Sequence, residues 1–208
     1  MVCRARPRIE RVATADLSRI QSGDILLWRP TTLCGRIIAA CGRSVYSHAG
    51  MAAVLGSDLI SLDMLQFRGG KAELLSGYVA AHPGRIDWYQ ARDAIGAPDA
   101  TPLWYDRHGA VGRMWDFVGH RYGWRAIGLV SLRHLPIVRL FCPVPSDGEH
   151  SHLPAFCSGA VSIACYEGGG VDPCPNLAHR LTEPGDLARS LLFRYRATLY
   201  TPETLPEE

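Results

Sequence analysis

Apolar and polar positions alternate along this chain in blocks that predict a mixture of short strands and helices. Ser22-Gly23-Asp24 is a turn signal, and the apolar block Ile25-Leu26-Leu27-Trp28 after it reads as a short buried strand ended by Pro30. Leu33, Ile37, Ile38 and Cys41 recur at helical spacing and stop at Gly42. Two apolar runs, Ala49 to Leu55 and Leu59 to Leu65, flank Gly56-Ser57 and predict a hairpin. Gly69-Gly70 reads as a further turn, Ala72 to Ala81 as a helix, and Arg85 to Tyr89 as a strand. Residues 93–108 read as a connection, His108 to Arg121 as a helix (Val111, Met114, Trp115, Val118), and 142–154 as a Pro-rich loop. Phe156 to Glu167 is the strongest helix, with Ala160, Val161, Ala164 and Cys165 on one face and Gly168-Gly169-Gly170 as its stop. The expected class is α+β, a small antiparallel sheet packed with helices.

Composition narrows the options. The chain has 208 residues, 47% hydrophobic and 20% charged, which suits one domain with a real core. The expected organisation is an N-terminal extension over 1–21, a single domain over 22–200 and an acidic tail over 201–208. A net charge of +2 gives no basic field for nucleic acid; Arg4, Arg6, Arg8 and Arg11 read as a solvated terminus. Residues 1–20 lack the apolar run of a secretory signal, and Ile127 to Phe141 is broken by Arg133, His134, Pro136 and Arg139, so no bilayer-spanning segment is expected. A cytoplasmic protein with reduced thiols is therefore expected from its seven cysteines. No C-x-x-C or H-E-x-x-H is present, which leaves His150-x-His152 with Cys142 or Cys157 as a weak zinc option; no metal and no cofactor is expected. The three glycines at 168–170 follow a helix rather than a strand, so they are not a phosphate loop.

Against this background Cys157 stands out by position. It opens the amphipathic helix, where the peptide dipoles favour a thiolate, the nucleophilic form. His48 lies at the mouth of the hairpin. If the loop is Gly56-Ser57, Leu55 faces Asp58 and Gly50 faces Asp63, which makes His48 and Asp63 diagonal neighbours on one face. Such neighbours lie roughly 7–8 Å apart at Cα, within reach of a side-chain hydrogen bond, and a slip of one residue would separate them. A carboxylate that orients an imidazole beside a nucleophile is a recurring hydrolytic arrangement. A buried structural cysteine, a structural histidine and an exposed aspartate remain open alternatives.

The run Gly23-Asp24-Ile25-Leu26, then Tyr46-Ser47-His48-Ala49-Gly50-Met51, then Phe156-Cys157-Ser158 opening a helix, resembles the NlpC-type papain-like cysteine peptidases. Histidine precedes cysteine here by 109 residues, the order of their circularly permuted branch, the YiiX-like group related to lecithin retinol acyltransferase. The resemblance runs over roughly 22–193 and includes Gly69-Gly70, Gly119 to Trp124 and Pro184-Gly185-Asp186-Leu187. It implies a papain-like fold with Cys157 as nucleophile, His48 as base and Asp63 as orienting acid, where the group more often carries glutamate. It also implies Tyr46 and the backbone at Ser158 as supports or oxyanion donors. The resemblance implies acyl chemistry through a thioester. The polar or small residues 147–152 before Cys157 and Arg43, Ser44, Tyr46 and Ser47 before His48 favour hydrolysis of a peptide-like amide, such as a cell-wall muropeptide link. The alternatives are lipid acyl hydrolysis or transfer on the same fold, and a non-catalytic binding module.

Overall fold

The structure, a computed structural model, describes residues 12–66, 68–96, 101–121 and 156–206. Within them the strands are β1 (Ala13–Thr14), β2 (Ile25–Trp28), β3 (His48–Leu55), β4 (Asp58–Leu65), β5 (Gly69–Leu74), β6 (Ile86–Ala91), β7 (Ala94–Ile95), β8 (Leu103–Trp104) and β9 (Phe193–Leu199). The helices are α1 (Leu33–Cys41), α2 (Leu75–Ala81), α3 (Arg107–Trp115), α4 (Cys157–Ile163) and α5 (Pro184–Arg189), with α4 running on as a π-helical turn over Ala164–Gly168. Seven strands form one sheet in the order β1-β9-β6-β2-β3-β4-β5, antiparallel except where β1 joins β9 in parallel. The class is α+β with a large antiparallel sheet, and among the described residues no helix is long and apolar enough to cross a membrane.

Helices cover both faces of the sheet centre, and this explains the continuous apolar reading of β2. Ile25 and Leu27 join Ala49, Met51, Leu62 and Met64 under the Cys157 helix, with Ala160 and Ala164 in the same cluster. Leu26 points the other way, to Ala52, Leu75, Val79 and Trp88 beneath α2. Each fully buried Leu, Ile or Met contributes about 1.5–3 kcal/mol. Two cores of this size, one on each side, leave no solvated face to impose a period of two.

The β3–β4 hairpin has the register expected from its Gly56-Ser57 turn: Leu55 pairs with Asp58 and Gly50 with Asp63. Other local readings differ from what formed. Gly69-Gly70 is not a free turn but the start of β5, pairing with Leu65 and Met64. A Cβ at Gly70 would run into the Phe117 carbonyl, so the glycine permits a close backbone approach rather than a reversal. The helix expected over 72–81 is confined to α2, because Ala72 and Glu73 pair with Leu62 and Ser61. The sheet is larger than expected, since β9 closes against β6 and carries β1.

Asp24, in the Gly-Asp turn before β2, is fully buried and saturated with donors. It accepts from Trp88 Nε1 at 2.8 Å, Ala91 N at 3.0 Å, Gln21 N at 3.1 Å and Arg107 Nη1 at 2.8 Å. This network ties β2, β6 and α3 together, so that motif is an anchor of the fold. Ile127–Phe141, the 142–154 loop and His150–His152 lie outside the described residues, as do Tyr122 to Trp124.

Candidate active site

Cys157 is the first residue of α4, which follows Phe156 as N-cap and is buried along its whole length. The thiol is only 3% exposed and faces the first residues of β3. The His48 side chain and the backbone N–H groups of Ala49 and Ser158 lie beside its sulfur and favour its thiolate. His48 bonds Asp63 Oδ1 through Nε2 at 2.9 Å, which leaves Nδ1 for the sulfur. The fold thus brings together the three residues singled out in the sequence, from helix to strand start to neighbouring strand.

Local chemistry explains the juxtaposition. Alternation along β4 points Asp63 to the α2 side, away from the Cys157 helix. His48 sits at the very start of β3, at the end of the sheet, and spans the two sides. Asp63 can lean across only because Gly50, its partner in register, has no side chain. A Cβ there would collide with Asp63 Oδ1. Trp28 pairs with His48 across β2–β3, and the two rings meet edge-on with centroids 4.9 Å apart.

The electrostatics follow from this geometry. Burial alone would pull the His48 pKa down, but the Cys157 sulfur and the Asp63 carboxylate outweigh it and carry it up to about 10. Burial alone would raise the Cys157 thiol. The His48 cation and the hydrogen bonds to the sulfur overcome that and bring it below its ordinary value. The favoured state is a thiolate–imidazolium pair. At Cys165 and Cys174 burial outweighs the Tyr105 hydroxyl and the Arg189 charge and pushes each thiol up to about 12.

Two expected supports land differently. Tyr46 is buried and donates its hydroxyl to Asp87 Oδ2 at 2.7 Å, with Tyr89 Oη at 3.0 Å. Asp87 also takes Arg29 Nη2 at 2.6 Å and Thr198 Oγ1 at 2.6 Å, so Tyr46 braces the strand beneath His48. An oxyanion-donor role would require that hydroxyl to leave a buried carboxylate, so the bracing role is the one its contacts fit. The Ser158 backbone N–H lies beside the sulfur, while its buried hydroxyl finds no hydrogen-bond partner among the described residues.

A cleft of about 510 Å³ opens beside His48, a size that suits a small ligand. Trp28, Leu65 and Tyr78 give it apolar lining and Gln66 and Arg68 polar lining, and among the described residues no acidic residue lines it. Sequence reasoning missed Trp28 and Tyr78, because neither the β2–β3 pairing nor the position of α2 leaves a local signal. Residues 147–152 of the Pro-rich loop before Cys157 lie outside the described residues.

Compared with known proteins, no family model matches the chain, and no curated protein matches it. Among solved structures, the fold resembles one described as the crystal structure of metalloprotein yiiX from Escherichia coli O157:H7, DUF1105. The TM-score is 0.59 at 14% identity, over 88% of this chain and 99% of that one. The chain therefore has a YiiX-like fold. That protein is described as a metalloprotein; here, among the described residues, no three His, Cys, Asp or Glu side chains group to hold a metal ion.

Proposed function

We propose that the protein is a cysteine hydrolase that cleaves an amide in a peptide-like substrate. The observation that carries this reading is the Asp63–His48 hydrogen bond beside Cys157 at the start of α4, where the His48 charge favours the thiolate. The Cys157 thiolate attacks the amide carbonyl carbon, and its oxygen takes up the charge near the backbone N–H groups at the head of α4. His48 gives its proton to the departing amine as the C–N bond breaks, leaving a thioester on Cys157. Water then attacks the thioester, His48 accepts its proton, and the acid leaves as the thiolate–imidazolium pair is restored. Asp63 holds the imidazole in one tautomer throughout.

One observation favours a second reading, an acyl lipid as the substrate. Helix α1, which lines the cleft through Cys34 and Gly35, exposes Leu33 (75%) and Ile37 (57%), an apolar surface that a fatty chain or lipid layer could cover. The amide is ranked first because Thr31, Thr32, Ser47 and Gln66 offer hydrogen bonds to peptide groups along the cleft. The test offers the purified protein a panel of muropeptide-like amides and a panel of phospholipids and acyl esters, with Cys157→Ala as control. Cysteine-dependent turnover of an amide is the expected result. Turnover of lipid alone would reverse the ranking, and turnover of neither would leave a binding module.

A further inference from the structure

The carboxylate that holds His48 lacks donors. The Asp63 side chain is shut off from solvent; Oδ1 takes the His48 bond, and Oδ2 makes none among the described residues. A buried carboxylate oxygen without a donor is costly, and it leaves the group free to rotate. On the same side of the sheet, α2 presents a donor with the complementary lack. Among the described residues the buried Tyr78 hydroxyl likewise finds no hydrogen-bond partner. Its ring lines the cleft with His48 and meets Trp28 edge-on at 6.0 Å, and Trp28 in turn meets the His48 ring. Burial first, and the Asp63 charge next, push ionisation of that hydroxyl up, with Glu73 behind them.

Building on the hydrolase reading, we infer that Tyr78 is a positioning residue whose hydroxyl donates to Asp63 Oδ2 in the working site. The carboxylate is then held at both oxygens, and His48 keeps a single orientation toward Cys157. Other groups face the same spot and are weaker claimants. Glu73, opposite Ser61 on β5, approaches the Tyr78 hydroxyl without completing a hydrogen bond, and it is exposed, so water serves it. Lys71 faces Asp63 across β4–β5 but is exposed, and Arg68 is exposed at the cleft edge. Ser61, two residues along the same face of β4, is buried and also unpartnered, but its short side chain has little reach along the strand.

The test uses the rate at which iodoacetamide alkylates Cys157, which needs no identified substrate. Tyr78→Phe keeps the ring against Trp28 and removes only the hydroxyl. The expected result is an alkylation rate about tenfold lower, the scale of one lost hydrogen bond to a charged group. In an Asp63→Asn background the same change should have no further effect, because Tyr78 acts through that carboxylate. Glu73→Gln and Ser61→Ala should react at the parent rate. The inference is overturned if Tyr78→Phe reacts like the parent, if it slows both backgrounds equally, or if Glu73→Gln or Ser61→Ala reproduces the loss. An inert Cys157 in the parent protein would instead overturn the hydrolase reading on which the inference rests.

Discussion

Cys157 and Cys165 lie eight residues apart on one continuous helical run, and both are buried. Their surroundings make them chemically opposite. Cys157 heads the run, where unpaired backbone N–H groups and the His48 side chain converge on its sulfur. Cys165 lies in the π-helical turn with the Tyr105 hydroxyl at 3.6 Å, and burial first, with the Asp172 charge behind it, pushes it up to about 12. Burial alone therefore makes a thiol inert; a thiolate in the same core requires a cation and oriented donors. The buried aspartates show the same contrast. Asp24 and Asp87 are saturated with donors and tie strands together, whereas Asp63 spends one oxygen on an imidazole and leaves the other unsatisfied. A saturated network reads as structure, an unsaturated one as a site.

The largest expected effect comes from exchanging the two thiols. Cys157→Ala should abolish cysteine-dependent turnover while Cys165→Ala retains most of it, measured on whichever substrate panel proves active. Next, His48→Ala should slow alkylation of Cys157 by about 10²–10⁴-fold, the range for losing a general base, and leave Cys165 as unreactive as before. Asp63→Asn keeps the shape but leaves the imidazole without its anion, and a drop of about tenfold to a hundredfold in the same rate is expected. Gly50→Ala comes last. The added methyl meets Asp63 Oδ1, so a stability loss of about 1–3 kcal/mol in denaturant melts is expected, with a slower Cys157 reaction.

The hairpin, its register and the His48–Asp63 contact were legible because they are local. Gly56-Ser57 sets which residues face each other, and the glycine opposite Asp63 is visible in the same stretch. The seven-strand order was not legible, since β2–β6 and β6–β9 pair residues far apart in the chain and two-sided burial erases the alternation that marks a strand. The meeting of Cys157 with His48 came from motif order and not from any periodicity. Trp28 and Tyr78 gave no signal, because each is an ordinary aromatic until β3 and α2 are in place.

The ion pair also sets a pH dependence. The His48 pKa is raised from 6.5 to about 10, so its contribution to stability is fully present below about pH 6.5 and is lost as pH rises through about 10. The Cys157 pKa is lowered, so its contribution is present above the ordinary thiol range and is lost as pH falls through the folded value. Between the folded Cys157 value and about pH 10 the thiolate–imidazolium pair persists. The most direct test of the central claim is competitive alkylation with limiting iodoacetamide at about pH 6, mapped by peptide mass spectrometry, where an ordinary thiol is almost wholly protonated. The account predicts that Cys157 is labelled ahead of the exposed Cys34 and that Cys165 stays unmodified in the folded protein. Labelling of Cys34 first, with Cys157 inert, would contradict it.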